Sequence, residues 1–550
     1  MTIEEDDKLL NDKEDPKVDE AARWSEKVFE KYNILHDIAI KNMPNIWTPL
    51  EFALSIKTIL NIRGCIKPFG GILLGPPSSL KTVTIGLFRG CQHTFYSDNF
   101  TAKSMVSHNS AIKRDKLKDV DMLPKLKNNF FLTPELAPMF ASREEDLLET
   151  LGIMTRILDG EGYENDTGAQ GHRGYSGEYM FTWLGASVDI PHRVHKALST
   201  LGPRLFFLRL PKLKQDEDYY FKQMGEDFEE KVTEICTALY EYMAVFETHP
   251  QIAFEEDELP KIPLNHTKNE ESVQRIIIKL GELLAPLRAE VPTWETNGTQ
   301  GSEYAYSIPT IEEPMRAIRQ LHNLAWAHGL TQGRDYMTED DISLIIQVVL
   351  STCSIERARI FDLLIEHKGV LTTSLIVTSL NVTNPTARRT MTELKATGLV
   401  EMYGVDNTEK TISLKSEFSW FLSDRFAELR GLKEKCPPRY TTDSNINNKN
   451  QIEEGKVLSD KDSLRGGQNS FSKESIHNNN IVQQDPDSNK LKDIPKETWK
   501  ATTIIENPST LSTTCIYCNQ SVANTELVAH MDKCAAEAVA EYERKRSLDN

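Results

Sequence analysis

The stretch Gly71-Ile-Leu-Leu-Gly-Pro-Pro-Ser-Ser-Leu-Lys-Thr82 constrains this chain more than any other. Ile72, Leu73 and Leu74 form the short apolar run of a buried strand, Gly75 opens a turn, and Lys81-Thr82 stand where a helix can begin. Such a loop turns backbone N–H groups and a helix N-terminus toward phosphates. A Lys at position 81 reaches the terminal phosphates, and the Thr82 hydroxyl can sit on the accompanying Mg²⁺. The phosphate-facing set is therefore Gly75, Pro76, Pro77, Ser78, Ser79, Leu80, Lys81 and Thr82. A Gly usually precedes the Lys; here Leu80 does, and its Cβ restricts the loop dihedrals and crowds the phosphates. An ordinary strand-loop-helix connection with a chance Lys-Thr pair is the plainer alternative.

A chain of 550 residues is too long for one core, and about three or four domains are expected. The net charge of −18 argues against a protein that coats nucleic acid over its whole surface and restricts any such contact to a local groove. Five of the eight Cys are scattered and three cluster near the C-terminus around a His, the usage of a reducing compartment with one metal site. The N-terminus opens on Glu4, Glu5, Asp6 and Asp7 and carries no signal peptide pattern, and no apolar run approaches the roughly 20 residues of a membrane span. A soluble cytoplasmic protein without membrane contact is expected.

Four further strands are expected, at His93 to Tyr96, Phe130 to Leu132, Tyr179 to Ala186 and Leu205 to Leu210. Alternating with helical patterns, they imply an α/β fold: a parallel sheet with helices on both faces and ligands outside the carboxyl ends of the strands. After the third strand, Glu135 stands where a carboxylate can orient an attacking water, whereas Thr133 or Pro134 holds the place of an Asp that would hold Mg²⁺ through water. A helix N-terminus with Glu135 in its first turn is the alternative. Between Asp159 and Gly177 a glycine-dense stretch reads as a hairpin with His172 and Arg173 near its tip. The fourth strand ends at Ser187, placed to feel a terminal phosphate, and Leu198-Ser-Thr-Leu-Gly-Pro-Arg-Leu-Phe206 leads into the fifth.

This order of loop, Glu-bearing strand, glycine-rich hairpin, polar-ended strand and Gly-x-Arg-Leu-Phe resembles AAA+ P-loop ATPases, and more narrowly the minichromosome-maintenance-like helicases, over roughly Trp47 to Ser351. The resemblance implies ATP and magnesium as cofactors, Ser187 as sensor 1, and Arg204 as an arginine finger acting on a neighbouring subunit of a homo-oligomeric ring. It implies a DNA contact for the hairpin, and a helical lid in which Arg316 or Arg319 is sensor 2. The lid helix shows Met315, Ile318, Leu321, Leu324 and Ala325 on its core face, after a Thr310-x-x-Glu313 capping pattern; a second pattern, Thr338-x-x-Asp341, introduces the next helix. For all three arginines an ordinary surface ion pair or solvated face is the alternative.

Residues from about Ile355 to Ser423 have the layout of a winged helix: three helices, the last capped by Asn384-Pro385, then strands at Leu399 to Tyr403 and Thr411 to Leu414. Ala387, Met391 and Leu394 line the core side of the third helix, leaving Arg388, Thr392 and Lys395 as a DNA-facing set, or as a protein-facing one. Near the C-terminus Cys515-x₂-Cys518-x₁₁-His530-x₃-Cys534 has tetrahedral zinc spacing. It is similar to the small ββα fingers of the ubiquitin-binding type in DNA-repair proteins, which implies a small protein partner. The expected domains are a tail (1–19), N-terminal helices (20–62), the P-loop core (63–214), an insertion and lid (215–354), the winged helix (355–432), a disordered linker (433–510), the zinc finger (511–540) and a tail (541–550). The leading functional reading is a nucleic-acid-associated AAA+ ATPase, helicase-like motor or switch; a non-catalytic nucleotide-binding regulator or an interaction scaffold are the alternatives.

Overall fold

Five parallel strands carry the architecture: β1 (Phe69–Leu74), β2 (Thr94–Tyr96), β3 (Phe130–Thr133), β6 (Thr182–Ser187) and β7 (Leu205–Arg209), in the order β2-β3-β6-β1-β7. The hairpin of β4 (Gly162–Thr167) and β5 (Gly171–Ser176) lies between β3 and β6 in sequence. The computed structural model describes residues 16–107, 116–167, 171–202, 204–212, 227–249, 261–296, 303–404 and 408–431, single positions between 217 and 259, and the backbone of 512–514 and 521–523. The chain forms two compact units, Met1–Asp443 and Ser444–Asn550. Among the described residues no helix is long and apolar enough to cross a membrane.

Strand side chains alternate between two cores, as the pleat requires. Leu73, Leu184, Ala186, Phe206 and Leu208 face the larger core, which extends to the N-terminal helices Pro16–Asn42 and Trp47–Thr58. Ile72, Leu74, Phe131, Trp183 and Phe207 face the other, closed by the helices Glu144–Ile157 and His192–Leu201. Gly71 is what lets the helix Trp47–Thr58 press onto β1, since a Cβ there would stand 2.4 Å from Ile56 Cδ1 and 3.0 Å from Phe52 Cζ. β7 is an edge strand, whose unpaired N–H groups invite foreign strands. Here the Phe207 and Arg209 N–H groups donate to the hydroxyls of Thr352 (2.9 Å) and Ser351 (3.0 Å), so the helix Ile342–Ser351 covers that edge.

Of the two expected capping patterns, one is absent and one forms. Thr310 and Glu313 form no cap, because the helix Met315–Thr331 starts after Pro314, whose fixed φ suits the first turn. At Thr338 the capping box with Asp341 forms as the pattern predicts. Within the expected insertion, the stretch around 290–307 holds an antiparallel pair of strands, β8 (Thr293–Thr296) and β9 (Glu303–Tyr306).

Helices Ile355–Glu366, Thr373–Leu380 and Asn384–Ala396 pack with a three-stranded antiparallel sheet, β10 (Val370–Thr372), β12 (Thr411–Leu414) and β11 (Val400–Tyr403) in spatial order β10-β12-β11. The cap of the third helix is Thr383, whose hydroxyl accepts from Thr386 N–H, one residue earlier than expected. Arg357 ties this region down. It is buried, donates to Glu393 Oε2 from Nε and Nη2 (3.2 Å each), and reaches the carbonyls of Leu287 and Ala289 at the end of the helix Glu271–Arg288. In the second unit β13 (Ser512–Thr514) pairs with β14 (Ser521–Ala523), bracketing 515–520. Cys515, Cys518, His530 and Cys534 lie outside the described residues, as do the expected tail up to residue 15, the linker and the C-terminal tail. Among the described residues no cluster of three or more His, Cys, Asp or Glu side chains could hold a metal.

Candidate functional site

The loop Gly75 to Leu80 leaves the carboxyl end of β1 and enters the helix Lys81–Leu87. Gly75 is packed so closely that a Cβ would meet Ser79 Oγ at 2.8 Å and Leu210 Cβ at 3.1 Å. Ser78 and Leu80 both take left-handed φ values, +63° and +64°. The backbone thus adopts at Leu80 the conformation that the usual glycine would adopt freely, and a branched side chain there stores about 1–2 kcal/mol. Lys81 folds back over the loop. Its Nζ donates to the carbonyls of Gly75 (2.7 Å) and Pro76 (2.8 Å) and to Ser79 Oγ (3.1 Å). Burial lowers its pKa, and the charge of Glu135 works in the opposite sense. A partly desolvated positive charge held on this loop is suited to polyphosphate, which would take it over from the carbonyls. Thr82, in the first turn, is exposed.

Parallel register brings the other strand ends to this loop. Ser187, the last residue of β6, lies level with Leu74, the last of β1, and its carbonyl accepts from Gly75 N–H (3.3 Å). The buried Ser187 hydroxyl donates to the carbonyl of Asp189 (3.0 Å). Glu135 follows β3, one strand further out, and is exposed; its Oε1 accepts from Ala137 N–H (2.9 Å), so it caps the short helix Ala137–Ala141. Thr133, where a magnesium-holding Asp was sought, is buried and accepts the Trp183 indole N–H (3.2 Å).

Sequence reasoning missed Arg209. It ends β7 level with Leu74, so Ser187 and Arg209 flank the last residue of the loop strand on the same face. Its Nη1 lies 3.0 Å from Asp189 Oδ1, which makes a chain from Ser187 through Asp189 to Arg209 across the carboxyl edge of the sheet. The signal was a cation interrupting the apolar run Leu205 to Leu210 at a strand end.

Arg204, Arg316 and Arg319 lie elsewhere. Arg204 immediately precedes β7, and Gly70 pairs with Leu205, so Arg204 is level with Phe69 at the amino end of β1. The six residues of β1 span about 20 Å at roughly 3.3 Å each, beyond the reach of an arginine side chain to the loop of its own chain. Arg204 instead holds Asp159 bidentately (Nε to Oδ1 3.0 Å, Nη2 to Oδ2 3.1 Å) and donates to the carbonyls of Leu201 and Gly202. Arg316 approaches the same Oδ1 at 3.9 Å, and Arg319 lines the same cavity of about 730 Å³.

The nucleic-acid candidates are less open than the sequence implied. His172 is exposed but contacts Asp166 Oδ1 (3.0 Å) and Glu164 Oε1 (3.3 Å), which raise its pKa. Arg173 is half-buried, opposite Asn165 in the hairpin. On the helix Asn384–Ala396, Ala387, Met391 and Leu394 are buried as expected, and Lys395 is exposed. Arg388 is half-buried, with Nη2 on the Thr408 carbonyl (3.0 Å). Thr392 departs from its expected exposed face: it is 7% exposed and donates to the Arg388 carbonyl (2.8 Å). Its hydroxyl turns back onto its own helix instead of outward, and β9 packs along the same helix.

No family model matches the chain, and no curated protein does. Among solved structures it is similar to a full-length MCM homologue from Methanopyrus kandleri, at 12% identity and a TM-score of 0.33 over 63% of this chain and 62% of that one. It is also similar to the apo A form of the NrS-1 C-terminal region, at 10% identity and a TM-score of 0.17 over 71% and 75% of the two chains. The chain thus spans less than two thirds of the MCM homologue's length.

Proposed function

We propose that this protein is a nucleic-acid-associated AAA+ ATPase, working as a helicase-like motor or as a DNA-bound switch. The observation that carries the reading is the convergence of Lys81, Ser187 and Glu135 at the carboxyl ends of neighbouring parallel strands, with the Lys81 ammonium folded over the loop carbonyls. On this reading the loop Gly75 to Thr82 holds the ATP phosphates, Thr82 supplies a hydroxyl to Mg²⁺, Ser187 senses the γ-phosphate and Glu135 orients water. Arg204, with Arg316 or Arg319, serves a nucleotide on a neighbouring copy: strand register sets Arg204 a strand length from its own loop, and Arg316 and Arg319 line the same cavity as Arg204. The region 355–432 is read as a winged helix that touches DNA through Arg388 and Lys395, and the four residues Cys515, Cys518, His530 and Cys534 as a zinc finger for a small protein partner.

One observation favours a second reading, a nucleotide-binding regulator with little turnover. The Thr133 hydroxyl accepts from the Trp183 indole N–H, and Glu135 is engaged by Ala137 N–H, so neither residue at the end of β3 is set for hydrolysis as it stands. Steady-state ATP hydrolysis with and without DNA, in the native chain and Lys81→Ala, separates the two. A motor shows DNA-stimulated turnover that Lys81→Ala abolishes; a regulator binds ATP through Lys81 and turns over at background rate.

A further inference from the structure

The cavity beside Arg204 carries a charge pattern foreign to the rest of the molecule. In a chain of net charge −18, its charged lining comprises Arg63, Lys67, Arg204, Arg316 and Arg319 against one carboxylate, Asp159. Lys67 is partly engaged, with Nζ on the Asp159 carbonyl (2.7 Å) and 3.8 Å from Glu161. Of the guanidinium groups, those of Arg204 and Arg316 converge on Asp159. Arg204 grips both carboxylate oxygens in the fork geometry that guanidinium uses for carboxylate and phosphate alike, and Arg316 stands at 3.9 Å. A volume of about 730 Å³ is that of a small-molecule site.

We infer that this cavity is a polyphosphate-receiving site and that Asp159 is its internal counter-anion, occupying the Arg204 fork until an incoming phosphate displaces it. A carboxylate at that point lowers anion affinity directly, by charge, and indirectly, by engaging the donors a phosphate needs. It also holds Arg204 in a fixed rotamer, so that the guanidinium is pre-oriented for exchange. The polyphosphate comes either from solution or from a nucleotide on a second copy; only the second source rests on the function proposed above.

The test uses the full-length chain in a Lys81→Ala background, so that the loop after β1 is held constant. Isothermal titration of inorganic tripolyphosphate into Lys81→Ala and into Lys81→Ala/Asp159→Asn compares the cavity with and without its counter-anion. Removing the competing charge is expected to tighten binding about tenfold. Adding Arg316→Ala to the double variant should return the affinity to the starting value; this side chain is 46% exposed and its truncation leaves the fold intact. Sedimentation of the double variant mixed with ATP-loaded native chain reads the other source, as ATP-dependent association that Arg316→Ala removes. Should the Asn variant misfold, Arg316→Ala in the Lys81→Ala background alone must still weaken tripolyphosphate binding or the association. Equal behaviour of the Asp and Asn chains in both assays, with Arg316→Ala neutral, overturns the inference. The nucleotide reading is judged separately, by ATP binding to Lys81→Ala alone.

Discussion

Trp183 donates its indole N–H to the hydroxyl of Thr133 across 3.2 Å, at the position where a magnesium-holding carboxylate would end the third strand. Both side chains are buried, so the bond fixes the end of β3 and leaves Glu135 as the nearest carboxylate to the loop on that strand's exit. Turnover, if the protein catalyses it, then depends on Glu135 leaving Ala137 N–H to orient water. Glu135→Gln should retain ATP binding and lose about 10²-fold or more in turnover. Single-turnover hydrolysis beside equilibrium binding reads both; unchanged turnover would remove Glu135 from the mechanism.

Leu80 holds a left-handed backbone that glycine reaches without strain. Leu80→Gly releases that strain but gives up the partial packing of the side chain and adds unfolded-state freedom, so folding stability should change by no more than about 1 kcal/mol. Removing the side chain beside the phosphates should tighten ATP binding. A thermal melt and an ATP titration of the same sample measure the two effects; weaker binding would contradict the placement of this loop against phosphates.

A buried charged group knits the N-terminal helices to the helix Met315–Thr331 and to Asp341. His328 contacts Asp341 (2.6 Å) and Glu51 (3.2 Å), Arg334 grips Asp341, and Tyr32 donates to Glu51. Burial alone would lower the His328 pKa, but its bonds to Asp341 and Glu51 and their charges push it up to about 9. For Asp341, burial raises the pKa and the opposing Arg334 and His328 hold it down at about 2. A raised His stabilises the fold fully below its unfolded pKa, near 6.5, and loses that contribution as pH rises through about 9. The depressed Asp contributes above about 3.8 and loses it as pH falls through about 2. The two shifts describe one ion pair and are not additive. Denaturant unfolding should show stability falling by about 3 kcal/mol between pH 6.5 and 9.5, a slope that His328→Gln flattens.

Five strands were legible in the sequence because each is a short apolar run between turn signals, and the parallel sheet follows from the helical patterns between them. The hairpin of β8 and β9 was not legible: its strands are four residues each, mostly polar, with no alternation long enough to register. β9 packs along the helix Asn384–Ala396, and Thr392 of that helix is buried although helical periodicity alone placed it on an exposed face. Arg204 and Lys81 were both visible as candidates, but their separation to opposite ends of the sheet depends on strand register, which pairs Gly70 with Leu205 and is fixed only by tertiary packing. Asp159 stood in the sequence as part of a glycine-rich turn, and nothing local revealed its two arginines.

The burial of Thr392 separates it by experiment from Arg388 and Lys395 on the same helix. Arg388→Ala with Lys395→Ala should weaken DNA binding and reduce the log–log salt slope by about one unit per lost phosphate contact. Thr392→Ala should leave DNA affinity unchanged and lower stability by about 1 kcal/mol through its lost packing and bond to the Arg388 carbonyl. Salt-insensitive, equal binding by all three chains would assign this region to protein contacts.

Zinc should be present at one atom per chain and vanish on truncation before Pro437, because the Cys and His set lies wholly beyond that point. Chelation should unfold this small segment and leave the melting of Met1–Asp443 unchanged. Elemental analysis of the full and truncated chains reads the outcome; metal retained after truncation would place it elsewhere.

The central claim, that the loop after β1 binds nucleotide phosphates through Lys81, is tested most directly by titrating Mg-ATP into the native chain and into Lys81→Ala under matched conditions. The ammonium that meets the Gly75 and Pro76 carbonyls makes no contact with either apolar core, so the variant should fold and melt like the native chain while losing ATP binding by about 10²-fold or more. Equal ATP affinity in the two chains would contradict it.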